Sequence, residues 1–150
     1  MDNNFSIIIS TCDKFSDLWD AHVQLLNQNW ADRNVETFLL TDKPTDRKFK
    51  NITVVAAGEG TEITERLQTV MPMIKTEYVL FTLDDYFLTE KISTEAIKED
   101  ISIMEKQRID YLRLFVMTRK SLKNRKAKEV EPGIFVLDNN AGDYIVSLYA

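Results

Sequence analysis

The chain has 150 residues, the size of one ordinary domain, and we predict a single domain over residues 1–150. Its one cysteine and one histidine exclude a disulfide framework, a Cys- or His-cluster metal site and a Ser-His-Asp triad. Acidic side chains outnumber basic ones by 24 to 19, and an acidic body disfavours nucleic-acid binding, because phosphate contacts need a positive surface.

Apolar runs are short throughout the chain. Ile7-Ile8-Ile9 is typical, far below the roughly 18 residues that a membrane-spanning helix needs. The chain does not open with a basic segment followed by an apolar one, which is the pattern of a signal peptide. We therefore expect a cytoplasmic protein without a transmembrane segment.

Strands and helices alternate through the first two-thirds of the chain. The predicted elements, in order, are a strand at 5–11, a helix at 15–30, strands at 35–41 and 51–55, a helix at 61–75, a strand at 78–83 and a helix from Ser93 or Thr94 to Gln107. Pro72 predicts a kink or break in the second helix. The strand at 78–83 is apolar at nearly every position, which is typical of a central strand covered on both faces. The alternation predicts an α/β fold with a mostly parallel central sheet and flanking helices.

The last third of the chain predicts additional β-strands. Strands are expected at 111–117, near 134–138 and at 144–149, with a basic loop at 118–129 between the first two. The basic charges favour a solvated surface loop. The alternatives are a mobile loop that closes over a diphosphate, or a contact with an acidic polysaccharide or the anionic headgroups of a membrane surface.

Aspartates follow three of the predicted strands. Asp13 follows the first, Asp42 the second, and the adjacent pair Asp84 and Asp85 follows the strand at 78–83. Ligands of open α/β sheets bind beyond the carboxyl ends of the strands. If these strands are parallel neighbours, their aspartates converge on one crevice. The alternative is that each is a turn residue, because aspartate readily bonds to its own backbone after a strand.

The Asp84-Asp85 pair predicts a divalent cation site. Adjacent carboxylates repel each other and resist desolvation, and a divalent cation relieves both problems. Oxygen ligands without nearby His or Cys favour Mg²⁺ or Mn²⁺, which usually take further ligands from water and substrate phosphates. The pattern suggests a metal-bridged diphosphate, with Asp13 and Asp42 free to hydrogen-bond a base or ribose.

Aromatic residues near these positions have two interpretations each. Trp19, His22 and Trp30 share one face of the first predicted helix, which favours core positions over a sugar-binding platform for the tryptophans. Tyr86 and Phe87 follow the acidic pair and either shape a donor pocket or pack in the core.

Four segments together carry a family resemblance: Ser10-Thr-Cys-Asp-Lys14, Leu40-Thr-Asp42, Thr64-Glu-Arg-Leu67 and, most specific, the block from Thr76 to Leu88. They resemble nucleotide-sugar-dependent glycosyltransferases of the GT-A fold, of the sort found in bacterial surface-polysaccharide clusters. The resemblance covers roughly residues 5–117. It implies a Rossmann-like nucleotide-binding half.

The resemblance implies roles for five residues. Asp84 and Asp85 match the family's metal- and diphosphate-binding "DxD" element, although the segment here reads Leu83-Asp84-Asp85-Tyr86. Asp13 and Asp42 match nucleoside contacts, and Arg66 matches a basic residue near the donor. Arg66 is also spaced to pair with Glu62 on its own helix. The implied cofactor, Mn²⁺ or Mg²⁺, neutralises charge on the leaving diphosphate.

The implied function is transfer of a sugar from a nucleoside-diphosphate sugar to a saccharide or lipid-linked acceptor. Members of this fold usually carry an acceptor-binding half beyond the metal element, whereas this chain stops within the apolar run ending at Ala150. We therefore expect a truncated chain or one without the acceptor half. The alternative function is a non-catalytic module that keeps the fold and binds a nucleotide or a partner protein.

The catalytic base is not assigned by the sequence. Asp138 and Asp143 are the only aspartates after residue 117, and neither lies in a motif. The donor sugar, its base, the acceptor and the stereochemical outcome are likewise open. The strand-like C-terminal run predicts an edge that can pair with a second copy of the chain.

Overall fold

The computed structural model of the chain describes residues 4–114, 119–124 and 127–136, and its centre is a four-stranded sheet. The strands are all parallel and lie in the spatial order β3-β2-β1-β4. Their bounds are β1 (Phe5–Ser10), β2 (Thr37–Thr41), β3 (Thr53–Ala56) and β4 (Tyr78–Leu83). The predicted α/β class with a parallel sheet is confirmed.

Helices cover both faces of this sheet. α1 (Trp19–Asn29) and α3 (Thr94–Gln107) pack on one face, and α2 (Ile63–Val70) packs on the other. The chain moves across the sheet in one direction from β1 to β2 and in the opposite direction from β3 to β4. Because β-α-β connections are right-handed, this reversal places α1 and α2 on opposite faces.

The core is centred on β1, which is buried at all six positions. Successive side chains of a strand point to opposite faces, so Ile7 and Ile9 pack with Trp19 under α1, while Ile8 packs with Val70 of α2. Burying an isoleucine completely contributes about 1.5–3 kcal/mol. The continuous Ile-Ile-Ile run therefore supplies apolar side chains to both halves of the core.

Local sequence signals set the ends of the helices. The Ser93 hydroxyl accepts a hydrogen bond from the Ala96 backbone N–H at 3.2 Å and caps α3. Glu62 and Glu65 form a reciprocal capping box at the start of α2. After α2 the chain continues as a single 3₁₀ turn, Met71–Met73, around Pro72. The predicted break in this helix is confirmed.

The prediction for β4 is partly wrong. Its bounds are as expected, but Val79 is 36% exposed, and among the described residues β4 pairs with β1 alone. The fully buried strand residues on the α2 side, such as Ile8 and Leu40, lie on β1 and β2, whereas Phe81 of β4 packs against them and is only partly buried. An apolar strand sequence shows a preference for burial, but it does not show how far a helix extends across the sheet.

The region before and within the basic segment also differs from its prediction. Residues 111–114 are not a strand, and 115–117 lie outside the described residues. The segment expected to be a basic loop contains α4 (Arg119–Asn124). Positive charges indicate exposure to solvent, which a surface helix satisfies as well as a loop does.

A small antiparallel hairpin ends the described part of the chain. It consists of β5 (Lys128–Glu131) and β6 (Ile134–Val136), with Gly133 at a φ of +80° in the turn. β6 corresponds to the strand expected near 134–138, and the strand expected at 144–149 lies outside the described residues. Within the described ranges, the helices are too short or too polar to cross a membrane.

Candidate functional site

The carboxyl ends of the strands bring the predicted aspartates to one edge of the sheet. Ser10, the last residue of β1, pairs with Leu40 of β2 on one side and with Leu83 of β4 on the other. The residues that follow these strands therefore begin at the same level. This register explains why Asp42 and Asp84 both lie beside the loop that follows β1, as their hydrogen bonds show.

The strand order reverses between β1 and β4, and this point is bridged by a side-chain hydrogen bond. The Thr11 hydroxyl, after β1, donates to Oδ2 of Asp84, after β4. A reversal of strand order is where open α/β sheets form a crevice for ligands. Asp84 and Asp85 thus lie at the position that the topology favours for binding.

Asp84 is the buried member of the acidic pair. It is 7% exposed, and burial raises the pKa of its carboxyl, while the hydrogen bond from Thr11 partly offsets this rise. The Thr11 oxygen in turn accepts a hydrogen bond of 2.7 Å from the indole N–H of Trp19. The Asp84 carboxylate is therefore held inside the protein by a chain of hydrogen bonds.

His22 contacts the backbone of the same turn. Its Nδ1 lies 3.0 Å from the carbonyl oxygen of Asp84, and its ring lies 6.1 Å from that of Phe87. The side chain is buried on α1, and desolvation lowers the pKa of its imidazole. The prediction of a core position for His22 is confirmed, and its hydrogen-bond partner lies at the candidate site.

Asp85 is the exposed member of the pair. The turn that carries it is closed by a 3.2 Å hydrogen bond from the Tyr86 N–H to the Leu83 carbonyl oxygen. The two following aromatic residues are also on the surface, with Tyr86 39% and Phe87 37% exposed. Of the two adjacent carboxylates, Asp85 is thus the one that solvent and ligands can reach.

Asp13 and Asp42 are joined directly. Oδ1 of Asp42 accepts a 2.6 Å hydrogen bond from the backbone N–H of Asp13. Burial alone would raise the pKa of Asp42, but the hydrogen bonds from Asp13, from its own N–H and from Thr41 lower it. Asp42 therefore fixes the loop after β1, while Asp13 presents a half-exposed carboxylate.

Lys43 adds a cation to this edge. Its ammonium lies 3.1 Å from Glu59 and 3.8 Å from Asp13, so that it links the loops that follow β1 and β3. The hydrogen bond to Glu59 raises the pKa of Lys43. Exposed ion pairs of this kind contribute little to stability, so the ammonium is available to exchange its partners for an anionic ligand.

Arg66 lies on α2 and is separate from the aspartates. Its guanidinium donates a 2.7 Å hydrogen bond to the carbonyl oxygen of Thr61, and it makes no ion pair with Glu62, whose carboxylate is used in the helix cap. Its Nε is buried and has no hydrogen-bond partner within the described residues. The Ser10 hydroxyl, also buried and unpartnered there, lies on the same face of the sheet as Ile8, which α2 covers.

The donor atoms at this edge restrict how a metal ion could bind. The described residues contain no group of three His, Cys, Asp or Glu side chains able to enclose an ion. Asp85 offers one exposed carboxylate, and Asp84 is held by Thr11. These donors fit Mg²⁺ or Mn²⁺ only if most of the remaining ligands are water and phosphate oxygens, which both ions accept.

Other parts of the molecule contribute less to this site. An open groove of about 600 Å³ beside β3 is lined by Arg47, Phe49 and Val54 among others, and by none of the predicted site residues. Asp138 and Asp143 lie outside the described residues.

Sequence reasoning did not assign Thr11, Trp19 or Lys43 to this site. Trp19 was correctly predicted to be buried, and its indole N–H signals a need for a buried acceptor, but the spacing along α1 does not identify that acceptor. The sequence could have indicated that Lys43 lies at this site, because it directly follows an aspartate at the end of a strand.

Comparisons with known proteins identify no relatives. No family model matches the chain, and no match was found among curated proteins or solved structures.

Proposed function

We propose that the carboxyl edge of the sheet binds a nucleoside-diphosphate sugar, and that the chain is a glycosyltransferase-like domain. The observation that carries this proposal is the convergence of Asp13, Asp42, Asp84 and Asp85 on one edge, with a hydrogen bond across the point where strand order reverses. Nucleotides bind at this position in open α/β sheets. The acceptor, in this proposal, is a saccharide or a lipid-linked saccharide.

Each residue has a separate role in the proposal. Asp85 contacts the cation that accompanies the diphosphate, because its carboxylate is exposed and Asp84 anchors the turn beneath it. Mn²⁺ or Mg²⁺, when bound, would neutralise charge on the leaving diphosphate. Asp13 hydrogen-bonds the ribose or base, and Asp42 holds the loop that presents Asp13. The role of Asp85 is supported by its exposure next to the buried Asp84, and that of Asp13 by its half-exposed carboxylate.

Two unpartnered buried donors support an additional contact on the α2 side. The Ser10 hydroxyl and Arg66 Nε have no hydrogen-bond partner among the described residues. Buried polar groups are nearly always paired, so an unpaired donor marks a position where a ligand or water oxygen is expected. In the proposal, Arg66 contributes positive charge near the donor.

Titration calorimetry with UDP, GDP and CDP, each with Mn²⁺ and with EDTA, tests this function. We expect one nucleotide to bind in the micromolar range with Mn²⁺ and to lose most of its affinity in EDTA. The Asp85→Ala variant with Mn²⁺ should bind the nucleotide only as weakly as the wild type does in EDTA. It should unfold at the same urea concentration as the wild type. Asp46→Ala, an exposed aspartate in the connection between β2 and β3, is the matched control and should retain full affinity.

Two results would contradict the proposal. A folded protein that binds none of the three nucleotides has no donor site of this kind. An Asp85→Ala variant with unchanged Mn²⁺-dependent affinity would show that the cation contacts other residues.

A second candidate function is a non-catalytic module that binds a nucleotide without a metal. The observation that favours it is the burial of Asp84, which leaves only Asp85 of the adjacent acidic pair exposed, whereas a metal site usually has more carboxylates within reach of one ion. For this function, one nucleotide should bind equally well with Mn²⁺ and with EDTA. Its sugar derivative should remain intact when incubated with the protein.

A further inference from the structure

Three residues hold the turn after β4 from inside the protein. The Thr11 hydroxyl donates to the Asp84 carboxylate, and Nδ1 of His22 lies 3.0 Å from the Asp84 carbonyl oxygen. Trp19 donates its indole N–H to Thr11 Oγ1 at 2.7 Å. Asp84 is thus fixed through its side chain by the loop after β1 and through its backbone by α1.

The direction of every hydrogen bond in this network is determined by chemistry. A carbonyl oxygen only accepts, so His22 must carry a proton on Nδ1 to bond Asp84. An indole nitrogen only donates, so the Thr11 oxygen accepts from Trp19. The Thr11 proton is shared between Asp84 and the more distant Cys12 carbonyl oxygen at 3.3 Å, and the shorter contact is to Asp84. All four residues are buried, and an unpaired polar group there would be costly. A rotated turn would break these bonds.

We infer that His22 is a positioning residue, whose Nδ1–H holds the Asp84 carbonyl so that the next residue, Asp85, projects from the edge of the sheet. This inference rests on the proposed function, in which Asp85 contacts the cation of the bound nucleotide. The His22 ring also lies 6.1 Å from the ring of Phe87, which directly follows the turn.

Substituting His22 with asparagine or glutamine distinguishes the role of its hydrogen bond from a role in packing alone. The Asn amide nitrogen takes nearly the same place as Nδ1, whereas the Gln amide nitrogen lies nearer the position of Nε2. His22→Asn should therefore keep the hydrogen bond, and His22→Gln and His22→Ala should lose it. We expect Mn²⁺-dependent nucleotide affinity near the wild-type value in the Asn variant and about tenfold lower in the other two, the loss expected for one hydrogen bond.

Amide NMR spectra of the ligand-free protein report on the turn independently of any nucleotide. In His22→Gln and His22→Ala, the signals of residues 84–87 should shift, and exchange of the Tyr86 amide, which bonds the Leu83 carbonyl oxygen, should accelerate about tenfold. His22→Asn also lacks the ring and therefore controls for the shifts that losing a ring near Phe87 causes, and its Tyr86 amide should exchange at the wild-type rate. Trp30→Phe is the control, because it removes a matched Trp–Thr hydrogen bond of 3.0 Å, to Thr94, and should leave residues 84–87 unchanged.

The two readouts distinguish the possible failures. Unchanged spectra at residues 84–87 in folded His22→Gln would overturn the positioning role, whatever the nucleotide result. Shifted spectra in a protein that binds no nucleotide would support the hold on the turn and overturn the proposed function. If the His22 variants do not fold, Trp19→Phe is measured in their place, because it removes the hydrogen bond to Thr11, the residue that holds the Asp84 carboxylate. Unchanged spectra at residues 84–87 in this variant would count against the network.

Discussion

Replacing Thr11 with valine removes the centre of the hydrogen-bond network without leaving a cavity. Valine has nearly the shape of threonine, but it neither donates to Asp84 nor accepts from Trp19. Both partners stay buried, with Asp84 7% exposed and Trp19 fully covered. The change therefore measures the loss of these two hydrogen bonds separately from any loss of packing.

The expected loss follows from the two groups left unpaired. A buried donor or acceptor without a partner costs about 1–3 kcal/mol, so the loss for Trp19 and Asp84 together is about 2–6 kcal/mol. That is a large part of the roughly 5–15 kcal/mol that stabilises an ordinary domain. Thr11→Ser keeps the hydroxyl and should lose only about 1 kcal/mol, for one buried methyl group.

Urea unfolding followed by tryptophan fluorescence measures these differences. The denaturant slope should be the same for both variants and the wild type, so that a shift in midpoint reports stability. A Thr11→Val variant that loses less than about 1 kcal/mol would refute the reasoning, because it would mean that Asp84 and Trp19 find water or other partners.

Three further predictions concern residues away from this network. Hydrogen bonds lower the pKa of Asp42 below its usual 3.8, so its charge stabilises the fold at neutral pH, and this effect is lost as the pH falls from 3.8 through the lowered pKa. Asp42→Asn should therefore be less stable than the wild type at pH 7, and the difference in urea midpoint should shrink as the pH falls below 3.8. Ser93→Ala removes the cap of α3 and should cost about 1 kcal/mol in urea unfolding, whereas Ser93→Asp should restore it. Leu39→Ala, in the fully buried middle of β2, should lower the free energy of unfolding by about 2–5 kcal/mol, and Val79→Ala, at the exposed position of β4, should lower it far less. Equal losses would contradict the difference in burial between these two positions.

The order and type of the elements around the sheet could be predicted because each has a local signal. The Ile7-Ile8-Ile9 run indicates a strand buried on both faces, and Ser93 and Pro72 mark the beginning of one helix and the end of another. The convergence of the aspartates on one edge also followed from local information, once the strands were taken to be parallel. These features depend on periodicity, turn chemistry and capping, which neighbouring residues determine.

The hydrogen bonds of the site could not be predicted, because they depend on the register between distant strands. Thr11 meets Asp84 because Ser10 pairs with Leu83, and a different register would bring another residue there. The periodicity of α1 predicted that His22 is buried, but not that its partner is a backbone carbonyl oxygen 62 residues away. In the basic segment, charge predicted exposure and left the choice between helix and loop undetermined, since both are compatible with solvated side chains.

The capping box of α2 makes the electrostatic potential near the site more negative. A free helix N-terminus attracts phosphate groups, but at the start of α2 the backbone N–H groups of Glu65 and Glu62 already bond the carboxylates of Glu62 and Glu65, respectively. The cap thus places two carboxylates at the positive end of the α2 helix dipole, near an edge of the sheet that already carries aspartates. A free diphosphate would be repelled on approach, so the species expected to arrive is the nucleotide already paired with its counter-ion, and its association rate should rise with added salt.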